Sequence, residues 1–127
     1  MPPRTARPSS TSPELLQGTL DMMILRVLET GGSNHGYGIA RRIRQMSEEV
    51  LIVEEGSLYP ALHRLEKRGF LRSDWRPSEN NRRAKFYSLT GEGREKLRTE
   101  TDLWRDLSTA IGRVMGTPRE RGVLSAE

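Results

Sequence analysis

The stretch EEGSLYPALHRLEKRGFL, Glu54 to Leu71, decides how this chain is read. Leu58, Ala61, Leu62 and Leu65 recur at i, i+3, i+4 and i+7, so they share one face of a helix and should point inward. Pro60 looks out of place. A proline inside a helix costs ~3 kcal/mol, but near the first turn the cost is small because early N–H groups have no helical acceptor. Pro60 therefore sets the helix start a few residues before it, around Glu54 to Ser57. Gly69 should stop it. The other side of the helix carries Ser57, Tyr59, Pro60, His63, Arg64 and Lys67. An arginine can donate two hydrogen bonds to a guanine, and lysine or arginine can neutralise phosphates. Tyr59 offers a hydroxyl for a phosphate and a ring for packing. Taken alone, this side reads first as the wetted face of an ordinary amphipathic helix.

The flanking sequence supplies the context. Leu20, Met23, Ile24, Val27 and Leu28 form one apolar face, which predicts a helix over 13–30 ended by Gly31 and Gly32. After the turn SNHGYG, a second helix is expected over 37–48. Its stripe is Ile39, Ile43 and Met46, with Arg41, Arg42 and Arg44 largely outside it. Beyond Gly69, FLRSDWRP reads as a strand, SENN as a turn in which Asn tolerates left-handed backbone, and RRAKFYSLT as the return strand. Trp75, Phe86 and Tyr87 are expected to pack. A long helix follows, with Thr90 as its N-cap and Glu92 and Glu95 near its positive end. Three short helices, a hairpin and a helix give a mainly α (α+β) chain. The pattern is that of a winged helix-turn-helix with a long C-terminal dimerisation helix, a generic small α+β domain being the alternative.

Composition sets limits. The 127 residues suffice for one domain with a modest core, and hydrophobic and charged residues stand at 34% and 30%. No window approaches the ~20 apolar residues a membrane span needs, so no membrane partner is expected. The start lacks the apolar core of a secretory signal, and the absence of cysteine suits a cytoplasmic location. Residues 1–13, rich in Pro, Ser, Thr and Arg, read as a disordered tail, and 116–127 as a flexible one. Between them lie a winged-helix domain at 14–90 and the long helix at 91–115. The net charge is +4, yet Gly56 to Ser88 alone holds eight Lys and Arg against three Asp and Glu. So local an excess is the electrostatic footprint of a nucleic-acid partner. Arg82, Arg83 and Lys85, at and after the hairpin tip, would touch phosphate or the adjoining minor groove.

An enzyme is not expected. With two histidines and no cysteine the common zinc sets cannot form, so neither metal nor cofactor is predicted. Ser57 and His63 lie about 120° apart around their helix, which makes no catalytic pair. GGSNHGYG lacks the Gly-Lys-Ser/Thr of a phosphate-binding loop.

In the last helix Leu97, Trp104 and Ile111 recur every seven residues. Leu107 and Val114 form a second series offset by three, interrupted at Glu100. A helix of ~25 residues is ~37 Å long. The small domain cannot cover it all, so the stripe implies a partner, most simply a second copy packed about a two-fold axis. Two recognition helices one DNA turn apart would then read a near-palindrome.

GTLDMMILRVLE, HGYGIARRI, EEGSLYPALHRLEKRGFL and RRAKFYSLTGEGREKL together resemble the PadR family of bacterial transcription regulators, in family order and over nearly the whole predicted fold. The resemblance implies a winged-helix domain with a C-terminal dimerisation helix. It also implies binding to a double-stranded DNA operator as a homodimer, and repression relieved by a small molecule. By position it puts Ser57, Tyr59, Pro60, His63 and Arg64 on the DNA-reading helix. It puts Tyr37 at the start of the preceding helix, where family members meet the DNA backbone. It further makes Trp104 a candidate contact for a small hydrophobic or aromatic effector between subunits. Many relatives carry glycine at the hairpin tip, where this chain has SENNRRAK. The competing function is a winged-helix module that binds protein rather than DNA.

Overall fold

The structure is a computed structural model that describes residues 13–116, and their side chains from residue 18. The tails expected at 1–13 and 116–127 therefore lie essentially outside the described residues. The elements in chain order are α1 (Pro13–Gly31), β1 (Asn34–His35), α2 (Gly36–Met46), α3 (Glu55–Lys67), β2 (Leu71–Pro77), β3 (Arg83–Leu89) and α4 (Gly91–Met115). The strands form one antiparallel sheet in the order β1-β3-β2. The chain divides into two compact units, the first running through Leu97 and the second starting at Arg98.

The core of the first unit is the set of apolar faces expected from spacing. Leu20, Ile24, Val27 and Leu28 of α1, Ile39 and Ile43 of α2, and Leu58, Ala61, Leu62 and Leu65 of α3 are all buried. Leu25, Leu71, Tyr87 and Leu97 complete it. Met23 is only partly buried, and Met46 at the end of α2 stands half exposed.

Each helix end has a local cause. Gly32 takes φ +80° and donates to the Leu28 carbonyl (3.1 Å), closing α1. Gly69 takes φ +87° at the end of α3, and its N–H bonds the Glu66 carbonyl while that of Phe70 reaches back to Leu65, both at 3.0 Å. This is the Schellman arrangement that satisfies the last carbonyls of a helix. Thr90 caps α4, its Oγ1 accepting from Gly93 N–H (3.0 Å) while its hydroxyl donates to the Gly69 carbonyl (2.7 Å). A Cβ on Gly93 would run into the backbone carbonyl of Phe70, so only glycine lets α4 start this close to the end of α3.

Three expectations change. The helix predicted to Glu48 ends at Met46 because Glu48 and Glu49 adopt φ of 56° and 72°, outside helical space. Pro60 is the sixth residue of α3, beyond the first turn, so its missing N–H leaves the Gly56 carbonyl without its usual donor. Its role as a mark of the first turn does not hold, although the helix does start within the expected range. Strand β1 was not anticipated; two residues show no alternation to detect.

Candidate nucleic-acid interface

Helix α3 sorts its polar residues into three rows. Pro60, His63 and Lys67 lie opposite the buried leucines and are exposed, with Gly56 one turn ahead of Pro60. Ser57, also exposed, flanks that row on one side together with Arg64. Tyr59 and Glu66 flank it on the other, toward the hairpin.

The two flanks serve different purposes. Arg64 Nη2 donates to Asp21 Oδ1 of α1 at 2.7 Å, with both side chains partly buried. The guanidinium expected to reach bases is thus engaged in a tie between α1 and α3. On the hairpin side, Glu66 accepts from Ser73 Oγ (2.5 Å) of β2 and pairs with Lys85 Nζ (3.1 Å) of β3. The Ser73 hydrogen bond, followed by Lys85, holds the Glu66 carboxyl below its usual range, and the bond to Glu66 raises Lys85. Burial pushes the Tyr87 hydroxyl up beside them. Lys85, expected on phosphate, is thus first of all the clamp that seats the hairpin on α3.

The hairpin extends past this clamp. Its register pairs Ser73 with Tyr87, Trp75 with Lys85 and Pro77 with Arg83, so these residues share the face that packs on the helices nearer its base. At the tip, Ser78 N–H bonds the Arg82 carbonyl (2.7 Å), and Asn81 takes φ 67° as its residue type allows. Arg82 and Arg83 are exposed and, among the described residues, have no carboxylate within ion-pair distance. Trp75 was expected to pack, yet it is 57% exposed, on the wall of a cleft that it lines with Tyr37 and Tyr59. Phe86 does pack, edge-on to His35 at 5.2 Å and beneath the Arg76 guanidinium at 4.4 Å.

His35 escaped sequence reasoning. It caps α2, its Nδ1 accepting from Gly38 N–H (3.1 Å), and its backbone pairs with Phe86. It thereby joins the start of α2 to the hairpin. Histidine is not among the favoured capping residues, so spacing alone gave no signal. Tyr37, next along, is 66% exposed at the first turn of α2. Arg41 and Arg44 follow on the same helix, exposed; Arg44 is paired to Glu49 at 2.6 Å.

In the second unit Trp104, Leu107, Ile111 and Val114 are all at least half exposed, and Leu103 joins their face of α4. Leu97, expected in the same interface, is instead 2% exposed within the core of the first unit. The reason is position: it falls within the first two turns of α4, which the first unit already covers.

A helix-turn-helix whose third helix shows an open polar face, followed by a basic two-stranded wing, defines the winged-helix class of DNA-binding proteins. Residues 24–99 match the model of the Transcriptional regulator PadR-like family, and the chain belongs to that family. A transcriptional regulator from Clostridium thermocellum is 30% identical, with TM-score 0.70, over 81% of this chain and 96% of that one. A PadR family transcription regulator from hypervirulent Clostridium difficile R20291 is 31% identical, with TM-score 0.65, over 76% and 97%. A PadR family transcriptional regulator from Eggerthella lenta DSM 2243 is 31% identical, with TM-score 0.67, over 82% and 88%. The protein is a DNA-binding transcriptional regulator. Among the described residues no helix is long and apolar enough to cross a membrane.

Proposed function

We propose that the protein is a repressor that binds a near-palindromic operator as a homodimer, with α3 in the major groove and the hairpin against the adjoining backbone. The observation that carries this reading is the exposed row Pro60, His63 and Lys67 of α3, together with the exposed Arg82 and Arg83 of the hairpin, two arginines that have no carboxylate partners among the described residues. Ser57 and Tyr59 border the row, Tyr37 lines a cleft with Tyr59, and all three offer hydroxyls for phosphates. Arg64 would join it only by leaving Asp21, and Lys85 only by leaving Glu66. The exposed stripe of α4 supports the dimer, since burying each such side chain contributes roughly 1.5–3 kcal/mol. An effector that is small and hydrophobic or aromatic would find Trp104 on that stripe.

The test is binding to duplexes covering the region upstream of the protein's own gene. Affinity should fall steeply as salt rises, and Arg82→Ala with Arg83→Ala should weaken binding on every sequence. A protein that binds none of these duplexes at low salt would favour the protein-binding alternative. A monomeric mass at micromolar concentration would defeat the dimer.

A further inference from the structure

Between the hairpin and the helices of the first unit lies a cleft of about 520 Å³. Its walls include Tyr37 of α2, Tyr59 of α3 and Trp75 of β2, and Arg82, Arg83 and Lys85 line its hairpin side. The three rings are 66%, 45% and 57% exposed. A single exposed aromatic is ordinary, but three around one cleft form a surface that calls for an occupant. The cleft lies where the inner face of the hairpin opens toward its tip: Leu71 and Tyr87 on that face are buried, and Trp75 and Arg83 farther along it are exposed. Gly36 opens it further. A Cβ there would lie 2.6 Å from Tyr59 Cε1, so glycine lets the Tyr59 ring rest over the start of α2.

Rings on both walls, with cations along the hairpin wall, match a polymer that alternates an apolar face with a negative charge, as the deoxyribose-phosphate backbone does; the carboxylate among the lining residues, Glu79, lies 3.8 Å from His35 Nε2. Tyr59 also adjoins Pro60 of the open row, so whatever lies against α3 continues into the cleft. We propose, on the strength of the DNA-binding reading, that Trp75 is a DNA-contact residue. With Tyr59 and Tyr37 it seats the sugars of one strand of the duplex whose major groove takes α3, while Arg82 and Arg83 hold that strand's phosphates.

The experiment uses the full chain and the promoter duplex found by gel shift. Trp75 and Trp104 are its two tryptophans. Saturation with duplex should change tryptophan emission in the wild type, and Trp75→Phe should abolish that change. Trp75→Ala should weaken binding about tenfold, with Trp75→Phe restoring most of it, because a ring rather than its indole nitrogen is needed. Wild-type emission that stays constant while the gel shift is complete overturns the proposal and leaves DNA binding intact. Equal emission change and affinity with a single-stranded oligonucleotide overturns the assignment to a duplex strand. Failure of every duplex to bind overturns the DNA-binding reading and this proposal with it.

Discussion

Glu66 and Lys85 link α3 to the hairpin, and their chemistry gives that link a pH range. The folded-state pKa of Glu66 lies below its ordinary value of 4.5. Its contribution to stability is therefore present above about pH 4.5 and is lost as pH falls through the lowered value. Lys85 is raised above 10.5, so its share is present below that pH and is lost as pH climbs past the raised value. Denaturant unfolding at pH 7 and at pH 3 should show wild type losing more stability on acidification than Glu66→Gln. Equal losses would mean the carboxylate does not hold the hairpin. Arg64 makes a second tie between elements through its 2.7 Å pairing with Asp21. Replacing it with alanine should destabilise the fold by about 0.5–1.5 kcal/mol, since a partly buried carboxylate loses one of its hydrogen bonds. A double-mutant cycle with Asp21→Asn should return a coupling of at least about 0.5 kcal/mol. Additive effects would mean that the Arg64–Asp21 pair does not tie α3 to α1.

At the scale of elements, the eight residues joining α2 to α3 contain two consecutive non-glycine residues at positive φ. Glu48 and Glu49 both sit at positive φ, each costing roughly 1–2 kcal/mol for a residue with a Cβ. Ser47 and the Arg44–Glu49 pair brace the turn, with Leu51 N–H donating to Ser47 Oγ at 2.9 Å. Glu48 is exposed, so Glu48→Gly should remove strain without removing packing. After the entropy glycine adds to the unfolded chain, a net gain of about 0.5–1 kcal/mol is expected in thermal unfolding. No gain, or a loss, would show that the turn's conformation is not strained. The strain also explains what the sequence concealed. The apolar spacings of α1, α2 and α3 were legible because burial repeats with the helix. The turn was not, because Glu at positive φ has no compositional mark, and nothing in the residues after Met46 distinguishes the end of α2 from one more half-turn of helix. For the same reason Leu97 looked like the first member of the α4 stripe: a heptad repeat records which face is apolar, not which neighbour covers it. Arg64 is the matching case on α3, where spacing put a cation beside the open row but could not reveal Asp21 of α1 next to it.

For the molecule as a whole, the question is how many copies of the wing act on one DNA, and salt dependence can count them. If Arg82 and Arg83 each neutralise one phosphate, their loss lowers the slope of log affinity against log salt by about 0.9 per contact. One wing then accounts for a slope change of about 1.8, and a dimer with both wings engaged for about 3.6. The change from wild type to the doubly substituted Arg82→Ala, Arg83→Ala protein should therefore lie near 3.6 on a full promoter duplex. Leu107 stands half exposed in the α4 stripe, so Leu107→Asp places a charge where a second copy would bury an apolar surface. That variant should sediment as a monomer while keeping its helical signal, because Leu107 lies outside the core of the first unit. Removing the two arginines in its background should change the slope by only about 1.8. The comparison holds even if absolute affinities shift, since each slope is measured against its own parent. A change near 1.8 in the wild-type background would mean that one wing engages and that the two-fold operator reading is wrong. A change near zero in both would place Arg82 and Arg83 away from the phosphates altogether.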